Sequence, residues 1–179
     1  RVVHVPFFGD FDTHDDHLAR HARLMTQLDN ALDRFLDDLV TRGIANRVVV
    51  ATTSEFGRRV PDNASNGLDH GAASFVLMAG APVTSGLFGT YPDLNVLDAD
   101  DDLKATVDLW DFYATLSEAW LGVPASSVLG AGLVVQPDRV HGAQAGVDRA
   151  VHLARRVVVG MHPAEHVPCG ARVVQPGDA

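Results

Sequence analysis

Residues 2–17 read Val2-Val3-His4-Val5-Pro6-Phe7-Phe8-Gly9-Asp10-Phe11-Asp12-Thr13-His14-Asp15-Asp16-His17, an apolar run that empties into an acidic loop bearing imidazoles. The run over residues 2–8 predicts a buried strand. Four carboxylates and two imidazoles then fall within residues 9–17. Open α/β sheets place their chemistry at the carboxyl ends of strands, and this is a dense set of metal donors in such a position. Without a cation, these charges would repel one another and remain solvated. A metal site and an acidic helix start that complements the helix dipole are both open readings of this stretch.

The sequence continues as helix and strand. Leu18, Met25, Leu28, Leu32, Phe35, Leu36 and Leu39 recur at three- and four-residue steps and predict a helix from Asp16 to Gly43. Asp15 or Asp16 is placed to cap it, and Gly43 to stop it. Residues 47–53 (Arg47 to Thr53) are β-branched and continuous, as in a buried parallel strand. A polar loop runs to Asn66, followed by a third apolar run, Ala73 to Gly80. Residues 81–102 are rich in Gly, Pro and Asp and predict a long loop. A second helix is expected over Leu103 to Leu121, with Val107, Trp110, Tyr113, Leu116 and Trp120 facing the core and Gly122 and Pro124 ending it. This order predicts an α/β layered domain with a mainly parallel sheet.

Composition narrows the function classes. The 179 residues suit one domain or a large piece of a bigger protein. A net charge of −9 and the lack of any basic stripe argue against a nucleic-acid partner. No run is apolar and long enough to predict a membrane span. Cys169 is the single cysteine, so any metal must be held by oxygen and imidazole. The chain opens at Arg1 and enters an apolar run at once, which we read as the mark of a longer parent protein. Residues 1–132 carry a net charge near −10 and residues 133–179 one near +1. We read residues 133–179 as a divergent, poorly specified tail with a short helix over 145–155 and a strand over 156–159. His141, His152, His162 and His166 in this tail are read as surface residues.

Three acidic or histidine-bearing groups each abut a predicted strand end. Asp12 and His14 lie two apart, so extended backbone can turn both to one cation. Glu55, in Ser54-Glu55-Phe56-Gly57-Arg58-Arg59, follows the second predicted strand, and Arg58 or Arg59 beside it can clamp an anion. Asp69-His70-Gly71 precedes the third. Each group alone has a bland reading, as a helix cap or a surface ion pair. Independent caps do not account for three such groups at three strand ends, and together they predict a metal site. His17 and His21, one helical turn apart, are a further candidate ligand pair.

The order of these motifs resembles a known family. Asp12-Thr13-His14, the segment Phe35 to Leu39, Ser54-Glu55-Phe56-Gly57-Arg58, Asp69-His70-Gly71, Gly89 to Leu94 and Ala119-Trp120-Leu121-Gly122 look like the C-terminal part of the uncharacterised-domain family numbered 1501. That family is taken as a branch of the alkaline phosphatase and sulfatase superfamily. The resemblance covers residues 2 to about 131. It implies an incomplete alkaline-phosphatase-like three-layer α/β/α sandwich over residues 1–132. It also implies a metal-dependent hydrolase of phosphate or sulfate esters, acting on a small anionic ester with one or two divalent cations. Asp12, His14, Glu55, Asp69 and His70 would form or support the cation site, and Arg58 would bind substrate. Zn, Ca, Mg and Mn are not distinguished.

Departures from the family pattern are Phe11 where Trp is usual, Leu68 where Thr is usual, and Phe56 where the wider superfamily has a second-metal histidine. The superfamily's nucleophile lies in an N-terminal half outside these 179 residues, so this chain alone is expected to be inactive by the usual route. The alternative expectation is a non-catalytic metal-binding or structural module. Family resemblance also implies an exported or periplasmic parent protein.

Overall fold

The structure is a computed structural model that describes residues 1–6 and 9–130, and the backbone of residues 157–161. The predicted tail helix over 145–155 lies outside these residues. Helix α1, His17–Thr41, forms where the three–four periodicity places it. Its buried residues are Leu24 and Leu39. Leu18 lies about 120° round the helix from Leu24, and it is 85% exposed rather than part of the core. The helix ends as expected: Gly43 takes a left-handed φ of +68°, its N–H donates to Val40 O (2.9 Å), and Ile44 N–H donates to Leu39 O (3.0 Å). The start differs. Asp16 occupies the cap position with φ +42° and makes no side-chain cap bond.

Among the described residues six short strands follow α1: β1 (Val50–Ala51), β2 (Gly57–Asp62), β3 (Leu68–Gly71), β4 (Ser74–Ala79), β5 (Gly86–Leu87) and β6 (Val157–Met161). One sheet has the order β1-β4-β6-β5, and β2 with β3 forms a separate two-stranded sheet. β4 pairs antiparallel with β1 (Val50 opposite Ala79) and with β6 (Ser74 opposite Met161). The β5–β6 pair is parallel.

These pairings overturn the expected parallel-sheet, alkaline-phosphatase-like three-layer α/β/α sandwich. Parallel neighbours need a long crossover, usually a helix, between them. Here the 22 residues between β1 and β4 are spent on the β2–β3 hairpin, and β4 returns antiparallel to β1. The predicted first strand is also absent: residues 1–6 form no strand, and Val2, Val3 and Val5 are exposed. Phe7 and Phe8 lie outside the described residues.

Val76 of β4, Val107 and Phe112 centre the core, with Ala51, Met78, Val83, Phe88, Leu109, Tyr113 and Leu116 packed round them. Helix α2 (Leu109–Thr115) begins later than the predicted Leu103, because Asp108 caps it by accepting from Trp110 N–H at 2.7 Å. It continues as a π turn, Leu116–Trp120, and Gly122 closes it at φ +67°. The short helix α3, Ala125–Leu129, follows. Among the described residues, no helix is long and apolar enough to cross a membrane.

Candidate metal centre

The hairpin supplies one half of the site. Arg58 on β2 and His70 on β3 are cross-strand partners, so their side chains are neighbours. Phe56, just before β2, lies flat against the His70 imidazole, with ring centroids 3.6 Å apart and planes 12° apart. The Arg58 guanidinium stands 5.0 Å from the centre of the Phe56 ring.

The loop over residues 11–16 supplies the other half by docking on the hairpin. Leu68 N–H donates to Thr13 O (3.2 Å), Asp16 N–H to Ser65 O (3.1 Å) and His17 N–H to Asn66 O (2.9 Å). Gly67 permits this approach, since a Cβ there would lie 2.0 Å from the carbonyl carbon and oxygen of His14. Thr13 is fully buried and shares a 2.5 Å hydrogen bond with His17 Nδ1. With Thr13 turned inward, Asp12 and His14 on either side of it turn outward.

The two halves meet in a triangle of potential ligand atoms. His14 Nε2 lies 3.0 Å from His70 Nε2, and Asp12 Oδ1 lies 3.1 Å from the first and 3.0 Å from the second. Among the described residues, Asp12, His14 and His70 are the group of three that could hold a metal ion together. Their spacing suits one. A tetrahedral zinc with bonds of about 2.0–2.1 Å holds its ligands about 3.3 Å apart, and an octahedral ion at about 2.1 Å holds neighbours about 3.0 Å apart. All three side chains are roughly half exposed, which leaves the open side of the triangle to solvent.

Asp69 reaches His14 from behind, with Oδ1 3.1 Å from Nδ1. A proton on Nδ1, donated to that carboxylate, leaves the Nε2 lone pair facing the triangle. The Asp69 carboxyl is held below its ordinary 3.8 by hydrogen bonds from Asn63 first and His14 second. The Asp12 carboxyl is also lowered, chiefly by its hydrogen bond with His70, which outweighs the opposing effect of burial, and further by its hydrogen bond with Arg58.

The expected site residues therefore separate. Asp12, His14 and His70 converge, Asp69 backs His14, and Glu55 is exposed and outside the group of three. Arg58 is engaged within the protein: Nη1 donates to Leu68 O (2.6 Å), and Nη2 to Phe11 O (2.9 Å) and Asp12 Oδ1 (2.8 Å). Arg20 binds Asp10 (2.6 Å) and Asp15, so two of the four acidic residues in the loop are paired away from the triangle. His17 is committed to Thr13, and its ring stacks on that of His21 with centroids 4.9 Å apart. Burial, then His17 and Arg58, lowers the pKa of His21.

Asn63 and Gly67 organise the site; the sequence placed Asn63 only in a polar loop ending at Asn66 and did not single out Gly67. The one available signal was the Asn-rich, glycine-ended turn that they frame. The family model described as "Protein of unknown function (DUF1501)" matches residues 1–145. No curated protein and no solved structure matches the chain. The chain belongs to that family.

Proposed function

We propose that this member of the family holds a divalent cation on Asp12, His14 and His70, and contributes that centre to a metal-dependent hydrolase of phosphate or sulfate esters. The triangle of two imidazole nitrogens and one carboxylate oxygen, with edges of 3.0–3.1 Å, carries the proposal. Two imidazoles and a single carboxylate favour zinc over calcium or magnesium, which prefer all-oxygen sites. A cation with an open side supplies Lewis-acid polarisation of an ester oxygen. Asp69 holds the His14 ring in the tautomer that this requires, and Phe56 fixes the plane of His70. Arg58 steadies Asp12. The ester class rests on the resemblance of the motif order to the family numbered 1501, read as a branch of the alkaline phosphatase and sulfatase superfamily, and draws nothing from the fold.

A second reading, a metal-binding module without turnover, draws on the nearby hydroxyls. Thr13 is fully buried and bound to His17, and Ser54 Oγ donates to Phe56 O at 2.7 Å. Thr13 has no exposed surface from which to reach a substrate. One experiment separates the readings. Metal content is measured for the purified chain and for His14→Ala, followed by hydrolysis of aryl phosphate and aryl sulfate esters. Metal-dependent turnover that His14→Ala abolishes supports the hydrolase. Bound metal without turnover supports the module. A metal-free wild type that takes up no added zinc sinks both.

A further inference from the structure

We infer that Asn63 is the positioning residue of this centre, through which the hairpin turn sets the orientation of His14; the inference rests on the metal reading above. Its side chain makes four hydrogen bonds. Oδ1 accepts from the backbone N–H groups of Ser65 and Gly67, each at 2.9 Å. Nδ2 donates to the His14 carbonyl and to Asp69 Oδ1, each at 3.0 Å. Two donors on one side and two acceptors on the other admit only one orientation of the amide. The acceptor half shapes the turn that brings Gly67 against His14. The donor half holds the backbone of His14 and the carboxylate that fixes its ring.

Asn63 thus grips both ends of one ligand. Asp69 Oδ1 receives Asn63 Nδ2 as well as His14 Nδ1, so the same oxygen couples the turn to the tautomer. Outer partners of this kind change metal affinity by about 10- to 100-fold when removed. No other described side chain bonds at once to the backbone of His14 and to the carboxylate behind its ring.

The test is a Co(II) titration of the full chain, followed by visible absorption, with Asn63→Ala and Asn63→Asp. Asn63→Asp keeps an acceptor for the turn and loses the donor. Its added negative charge would by itself tighten a cation, so weaker binding traces to the lost donor. Both variants are expected to bind Co(II) at least about tenfold more weakly, with a shifted d–d band. Asp108→Ala, which removes the cap of α2 and lies apart from the triangle, is expected to lower the unfolding midpoint and leave the Co(II) spectrum unchanged.

A metal-free readout runs beside it. Nitrogen NMR of the neutral His14 ring is expected to show Nδ1–H alone in the wild type and a mixture of tautomers in Asn63→Ala. Unchanged affinity, spectrum and tautomer in folded variants would overturn the inference. A wild type that takes no Co(II) while the tautomer still shifts would defeat the metal reading and leave the positioning role standing.

Discussion

His14 and His70, 56 residues apart in the chain, hold their Nε2 atoms 3.0 Å apart. Neither ring reaches that position by itself. Phe56 lies against one face of His70, and Asp69 holds His14 from behind its Nδ1. Two ring nitrogens this close must share either a proton or a cation, since two facing lone pairs repel. Asp12 Oδ1, within 3.1 Å of both, makes a shared positive charge favourable.

Replacement of any one ligand is expected to remove the cation. Asp12→Ala, His14→Ala and His70→Ala should each weaken zinc binding by at least about 100-fold, while Asp69→Ala, which acts through His14, should weaken it by about 10- to 100-fold. Glu55→Ala should leave affinity unchanged. Isothermal titration calorimetry ranks the five, and an Asp69→Ala affinity equal to wild type would refute the role of Asp69.

Gly67→Ala is expected to disturb fold and site together. The added methyl would meet the His14 carbonyl at 2.0 Å, where only backbone can give way. We expect a loss of about 3 kcal/mol and weakened metal binding. Gly43→Ala makes a control: nothing lies within 4 Å, and only its left-handed φ of +68° is strained, at a cost of about 1–2 kcal/mol. Denaturant unfolding and zinc titration of both variants check this. Equal metal affinity in Gly67→Ala would contradict the close-approach argument.

Acid should loosen the loop from the hairpin. The carboxyls of Asp12 and Asp69 are lowered from 3.8 in the folded chain. Folded values below unfolded ones mean that their stabilisation is complete above the ordinary value and is lost as pH falls through the folded values. Unfolding midpoints followed from about pH 6 down to about pH 2 should fall more steeply for the wild type than for Asp12→Asn/Asp69→Asn, with the divergence below about pH 4. Parallel curves would rule out these two groups as the cause.

The core prediction is independent of the site. Phe112 is 2% exposed and packs with Val76 and Val107. Phe112→Ala should cost about 3–5 kcal/mol through lost burial and the cavity left behind. Phe35→Ala, on the 45%-exposed Phe35 of α1, should cost much less. Chemical denaturation of the two variants gives the comparison, and equal losses would place the core elsewhere.

Local patterns were legible where one element decides the outcome. Helix α1, its glycine stop and strand β4 lie where periodicity and apolar runs place them. The hairpin was not legible, because β2 and β3 carry charged residues and Pro61, and their two-strand sheet shows no apolar alternation. The parallel sheet was misread for a related reason. The β-branched run 47–53 predicts a buried strand, but only Val50–Ala51 pairs and neither residue is fully buried; strand direction depends on the connection, and here the connection is the hairpin.

Asp12, His14 and His70 were legible as candidates because their side chains carry the donors whatever the fold. Sequence by itself determined that no thiolate cluster can form, since Cys169 is the only thiol. Tertiary structure decided which donors converge. Donors at separate positions in the chain meet only through tertiary contacts, and the docking of the 11–16 loop on the turn at Gly67 brings Asp12, His14 and His70 to a common triangle. It also gave Asp69 and Asn63 their places behind His14, which depend on distances across the hairpin that no local spacing encodes.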